Sequence, residues 1–107
     1  MSQHIFESKD STGRNVQVIM GWDRPLQQFF LVVENLDAAS EDGEESYLYS
    51  NHGDMDAFNV QDINFFVDKL AAFGICAPKA LISEVCADRQ NNVGNRQVVY
   101  DAHGTMG

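Results

Sequence analysis

His52, Asp54 and Asp56 form an H-x-D-x-D cluster that sets one imidazole and two carboxylates side by side. Nitrogen and oxygen donors this close could hold a divalent cation. The spacing matches no EF-hand loop, and Glu41, Asp42, Glu44 and Glu45 match no calcium loop either, so the expected state is a solvated acidic turn. No metal and no cofactor is assigned. Covalent catalysis needs a nucleophile, a base and an orienting group. Cys86 could be written down with His52 or His103 and an aspartate, but Cys86 falls on an apolar helical stripe. No nucleophile elbow and no phosphate-binding glycine loop accompanies it. The chain is therefore expected not to be an enzyme.

Two further constellations could make contacts rather than bonds. Trp22-Asp23-Arg24-Pro25-Leu26 puts the only Trp beside an acid–base pair at a strand end, which reads as a recognition corner or as a structural turn. Arg89-Gln90-Asn91-Asn92-Val93-Gly94-Asn95-Arg96 offers amides and guanidinium groups of the kind that read nucleic acid. A helix C-terminus entering an Asn/Gly turn accounts for it more simply, and the net charge of −9 opposes phosphate contacts, so no direct nucleic-acid binding is expected.

That charge is regional. Between Pro25 and Asp68 lie ten carboxylates (Glu34, Asp37, Glu41, Asp42, Glu44, Glu45, Asp54, Asp56, Asp62, Asp68) and no Lys or Arg, which leaves six acids against all seven basic residues elsewhere. A one-sided charge makes a directional field that attracts cationic protein surfaces and metal ions and repels nucleic acid and anionic membrane. Asp37, Glu41, Asp42, Glu44, Glu45, Asp54 and Asp56, with Trp22 and Arg24, are the expected partner-binding residues.

With 107 residues, 44% hydrophobic residues and seven Phe, the chain fits one domain, 1–107, with one core. No apolar run approaches the roughly 18 residues that span a bilayer, and MSQHIFESKD lacks the apolar centre of a signal peptide, so a cytoplasmic protein is expected. Cys76 and Cys86 are expected to be buried thiols, because C-x9-C without a companion ligand makes no zinc site.

The elements that position these residues follow from periodicity. Val16, Val18, Met20 and Trp22 alternate with their neighbours and predict a half-buried strand with Trp22 pointing coreward. His4 to Ser8 can pair with it across the Asp10-Ser11-Thr12-Gly13 turn. Phe29 to Val33 reads as a central strand covered on both faces, and Tyr47 to Tyr49 as a short fourth strand. Residues 35–46 are expected to form a mobile acidic loop. Asn59 and Asp62 can cap a helix in which Ile63, Phe66, Val67, Leu70 and Phe73 share one face and Gly74 ends the helix. Pro78 suits the first turn of a second helix with Leu81, Ile82, Val85 and Cys86 as its stripe. Val98 to Tyr100 either adds an edge strand or docks, and residues 101–107 are expected to fray. The fold expected is α+β, an antiparallel meander of three to four strands followed by two helices on one sheet face. Tyr47, Tyr49 and Phe30 would then be left on the other face, where they could pair two copies of the chain.

Two blocks, MGWDRPLQQFFLVVE at Met20 to Glu34 and ADRQNNVGNRQVVY at Ala87 to Tyr100, resemble small uncharacterised proteins encoded on proteobacterial plasmids and integrative elements. The resemblance implies a bacterial accessory context and assigns no residue roles. The resulting expectation is a non-catalytic acidic module that binds a basic protein surface, a DNA-mimicking inhibitor or an accessory protein of a mobile element being its concrete forms. The competing readings are a small homodimer whose charge serves solubility, and a weak divalent-metal-binding protein or enzyme.

Overall fold

Alternation along Val16, Val18, Met20 and Trp22 becomes the inward face of the middle strand of a five-stranded sheet, where all four side chains are buried. The computed structural model describes residues 2–36, 47–51, 54 and 60–100, with the backbone alone at Tyr47. Its strands are β1 (Ser2–Lys9), β2 (Asn15–Asp23), β3 (Gln28–Asn35), β4 (Tyr47–Ser50) and β5 (Arg96–Tyr100). Two helices, α1 (Asn64–Ala72) and α2 (Lys79–Gln90), lie between β4 and β5 in the chain. The sheet order is β4-β3-β2-β1-β5. The first four strands form the expected antiparallel meander, and β5 joins β1 in parallel, with Ser2 opposite Arg96 and Phe6 opposite Tyr100.

Turn chemistry closes the β1–β2 hairpin. Asp10 Oδ1 accepts from the Thr12 amide at 2.9 Å, the Thr12 hydroxyl at 2.7 Å and the Arg14 amide at 3.0 Å, while Gly13 takes the left-handed φ of 87°. Both helices cover one face. Phe66 and Leu70 of α1 and Leu81 and Val85 of α2 pack with Phe6, Val18, Leu31 and Val33 into a single core. At the start of α1, Asp62 Oδ1 accepts the Asn64 amide at 3.0 Å; Asn59 lies outside the described residues. At its end the Gly74 and Ile75 amides return to the Ala71 and Leu70 carbonyls, each at 2.9 Å, with Gly74 at φ 77°. This is the Schellman arrangement a glycine permits.

Three expectations are corrected. β3 lies second from the sheet edge with helices on one face only, so Val32 is half-exposed rather than enclosed. Cys76 and Cys86 are exposed, because the inward stripe of α2 runs Leu81, Val85, Asp88 and the residue at the last inward position is a carboxylate instead of the Cys86 thiol. Tyr49 packs on the helix side, edge-on to Phe66 and Phe73 with ring centroids 6.4 Å away, and not on the open face. Phe30 does face the side away from the helices, but it is only 5% exposed, with its ring against its cross-strand neighbour Gly21. The side chain of Tyr47 is outside the described residues.

Candidate functional site

The carboxylates Asp37, Glu41, Asp42, Glu44, Glu45 and Asp56, together with His52 and His103, lie outside the described residues. In the chain, residues 37–46 join β3 to β4 and residues 52–59 follow β4 toward α1, β4 being an edge strand of the sheet. Asp54 is described and committed within the fold: its Oδ2 accepts the Tyr49 hydroxyl at 2.7 Å and lies 3.4 Å from Lys69 Nζ. No group of three or more His, Cys, Asp or Glu side chains among the described residues is arranged to hold a metal ion.

Trp22 and Arg24 stand at the opposite end of the strands from the Leu36 end of β3. The Trp22 ring is 2% exposed and packs edge-on to Phe29 at 5.3 Å, and its indole N–H donates to Asn92 Oδ1 at 3.1 Å. The Gln27 amide donates to the same oxygen at 2.7 Å and to the Arg24 carbonyl at 2.7 Å. Arg89 lies over the Trp22 and Phe29 rings, 5.9 Å from each centroid, and reaches Gln61 Oε1 at 3.3 Å. Gln27 (φ 52°) and Asn92 (φ 49°) are both left-handed without being glycine, a strained conformation for L side chains, and the hydrogen bond between them ties the two loops together. The two sequence blocks read separately above therefore meet here, the β2–β3 turn of one against the α2–β5 loop of the other. Arg24, Pro25, Leu26, Gln27, Arg89 and Asn92 are among the residues this corner exposes to solvent, while Trp22 anchors it from below.

A buried polar centre escaped the sequence reading. His4 Nε2 lies 2.6 Å from Asp88 Oδ2, and His4 Nδ1 lies 2.7 Å from the Tyr100 hydroxyl. A carboxylate only accepts, so Nε2 carries the proton, and in the neutral ring Nδ1 accepts from Tyr100. Arg96 donates to the other carboxylate oxygen at 2.7 Å, and Ser2 Oγ both bonds Asp88 and accepts the Trp22 amide at 3.0 Å. Burial opposes ionisation of Asp88, yet the hydrogen bonds from His4, Ser2 and Arg96 outweigh it and hold the carboxyl below its ordinary range. Burial first, and the Glu84 charge second, push the Tyr100 hydroxyl up to about 12.

His4, Asp88 and Tyr100 are 0%, 1% and 3% exposed, so this phenol–imidazole–carboxylate chain is sealed. What it does physically is join β1, α2 and β5. The signal for it was present: His4 occupies an inward position of β1, and Asp88 stands seven residues after Leu81. The Cys86 thiol is raised mainly by partial burial, with Asp62 adding and Arg89 opposing, which does not favour the nucleophilic thiolate. No helix among the described residues is long and apolar enough to cross a membrane.

No protein-family model, curated protein or solved structure matches this chain.

Proposed function

We propose that the chain is a non-catalytic acidic protein-binding module whose β4 flank docks on a basic protein surface, in the manner of a DNA-mimicking inhibitor or an accessory protein of a mobile element. The observation that carries this reading is the grouping of charge along the chain. The carboxylates of 37–45 and 54–56 belong to the two connections on either side of one edge strand in the chain, whereas Arg24, Arg89 and Arg96 gather at the end of the sheet carrying the β2–β3 turn. Lys9, the Asp10-bound Arg14 and Lys69, which pairs with Asp54 at 3.4 Å, are the cations toward the other end. A molecule polarised this way orients itself in the field of a basic partner and meets it faster than an evenly charged one. The same charges also guard an exposed strand edge against pairing and aid solubility, and the test must separate these roles.

The test is affinity capture from a bacterial lysate at low and moderate salt, followed by binding of the purified captured protein to the wild type and to a variant with Glu41, Asp42, Glu44 and Glu45 changed to Lys. Docking through the acidic flank predicts that binding weakens steeply with salt, is lost in the variant and is displaced by duplex DNA. Binding indifferent to both salt and charge reversal would sink the reading.

A further inference from the structure

The helix-free face of the sheet breaks the rule for a solvated antiparallel surface, which is apolar inward and polar outward at alternate positions. In His4-Ile5-Phe6, Val18-Ile19-Met20, Leu31-Val32-Val33 and Val98-Val99-Tyr100 an aliphatic side chain points to the outer face between two inward neighbours. Pairing aligns the four exceptions. Val99 lies opposite Ile5, Ile5 opposite Ile19, and Ile19 opposite Val32, so one row of β-branched residues crosses β5, β1, β2 and β3. Val99 is 52% exposed, and Ile5, Ile19 and Val32 are half-buried, with neither α1 nor α2 above them among the described residues. One flank of the row is Gln97, Gln3, Gly21 and Phe30, without charge; the other is Glu7, Gln17 and Glu34.

We propose that a second copy of this chain covers this face, the two apolar rows stacking about a two-fold axis that runs parallel to the row. A straight apolar row is complementary to itself, as an isologous interface requires. Charge then selects the axis. An axis along the strands would gather Glu7 and Glu34 of both copies on one side of the interface. An axis along the row instead sets the two pairs of carboxylates at opposite ends of the interface, with Glu7 of each copy over Gln3 of the other, which can donate to it, and Glu34 over the uncharged Phe30. Stacked sheets keep their strands within about 30° of one another, which this arrangement satisfies with antiparallel strand directions. Each residue of the row then faces its own counterpart. This inference is independent of docking through the β4 flank, which it leaves exposed.

Sedimentation of the full chain from about 10 µM to about 1 mM tests it, a range that spans the affinities of weak to moderate dimers. The expected result is a dimer for the wild type and a monomer with unchanged circular dichroism for Ile19→Glu. A monomer at every concentration, or a dimer that survives Ile19→Glu, would overturn the proposal. Should Ile19→Glu fail to fold, Val99→Cys decides, since this exposed position has little packing to lose. Sheets stacked about 10 Å apart hold facing side chains too far apart for a direct disulfide, so in a Cys76→Ser, Cys86→Ser background the proposed axis predicts that a short bismaleimide joins Val99→Cys into a covalent dimer and does not join Glu7→Cys. No cross-link at Val99→Cys, or equal cross-linking at both positions, overturns it.

Discussion

A methyl group on Gly21 would sit 1.9 Å from the Ser2 carbonyl oxygen and 2.9 Å from Phe30 Cε1, so β1 can approach β2 here only because this residue lacks a Cβ. Gly21→Ala is expected to destabilise the protein by about 2–3 kcal/mol, as overpacking does, with a lower urea midpoint as the readout. Asp10 is the residue whose titration is most visible. The Thr12 hydroxyl foremost, with the Arg14 and Thr12 amides and the Arg14 side chain, holds its carboxyl at about 2 against an ordinary 3.8, although burial pulls the other way. As pH falls below 3.8 the unfolded chain takes up the proton before the folded one does, so the stability due to this turn is complete above that pH and is lost on the way down to about 2. Asp10→Asn should flatten the slope of unfolding free energy against pH in that window, measured by denaturant titration from pH 2 to 5. The turn itself was legible, since Asp, Ser, Thr and Gly in succession are turn formers for reasons of local geometry. The Gly21 contact was not, because it depends on which strand lies beside it.

At the scale of elements, β5 is an edge strand bonded to β1 alone, and side chains reinforce its attachment: Tyr100 reaches His4 on β1, and Arg96 reaches Asp88 on α2. Tyr100→Phe would leave His4 Nδ1 buried without a donor, an omission that costs about 1–3 kcal/mol. The expected outcome is faster amide exchange in β5 and in the facing half of β1, with β3 much less affected, read by hydrogen exchange. Uniform protection loss across the sheet would mean the network supports the whole fold rather than this strand. Helices and hairpin were readable because their hydrophobic periods are local. The α2 stripe went astray at its end: a carboxylate at 88 and a thiol at 86 suggested the reverse of their actual burial, and only His4 and Ser2 on β1 with Arg96 on β5 make a buried Asp88 tolerable.

For the whole molecule, the proposed docking is assigned to the acidic connections on either side of β4 in the chain, and the proposed self-pairing to the sheet face away from the helices. Docking and self-pairing use different regions, so charge reversal at Glu41 to Glu45 should leave the sedimentation of the chain unchanged, while Ile19→Glu should leave partner capture unchanged in its salt dependence. The amino-acid sequence by itself determined the order and type of the first six elements, the α+β class, the inward turn of Trp22 and the grouping of the acidic residues along the chain, since each follows from neighbours along the chain, whereas it left Val98 to Tyr100 open between strand and docked segment. Only the tertiary structure decided that β5 returns parallel to β1, that His4, Asp88 and Tyr100 meet, and that Ile5, Ile19, Val32 and Val99 fall into one row. The physical reason is register: alternation says which face a side chain takes, but which residue lies beside it depends on the path by which a distant strand comes back.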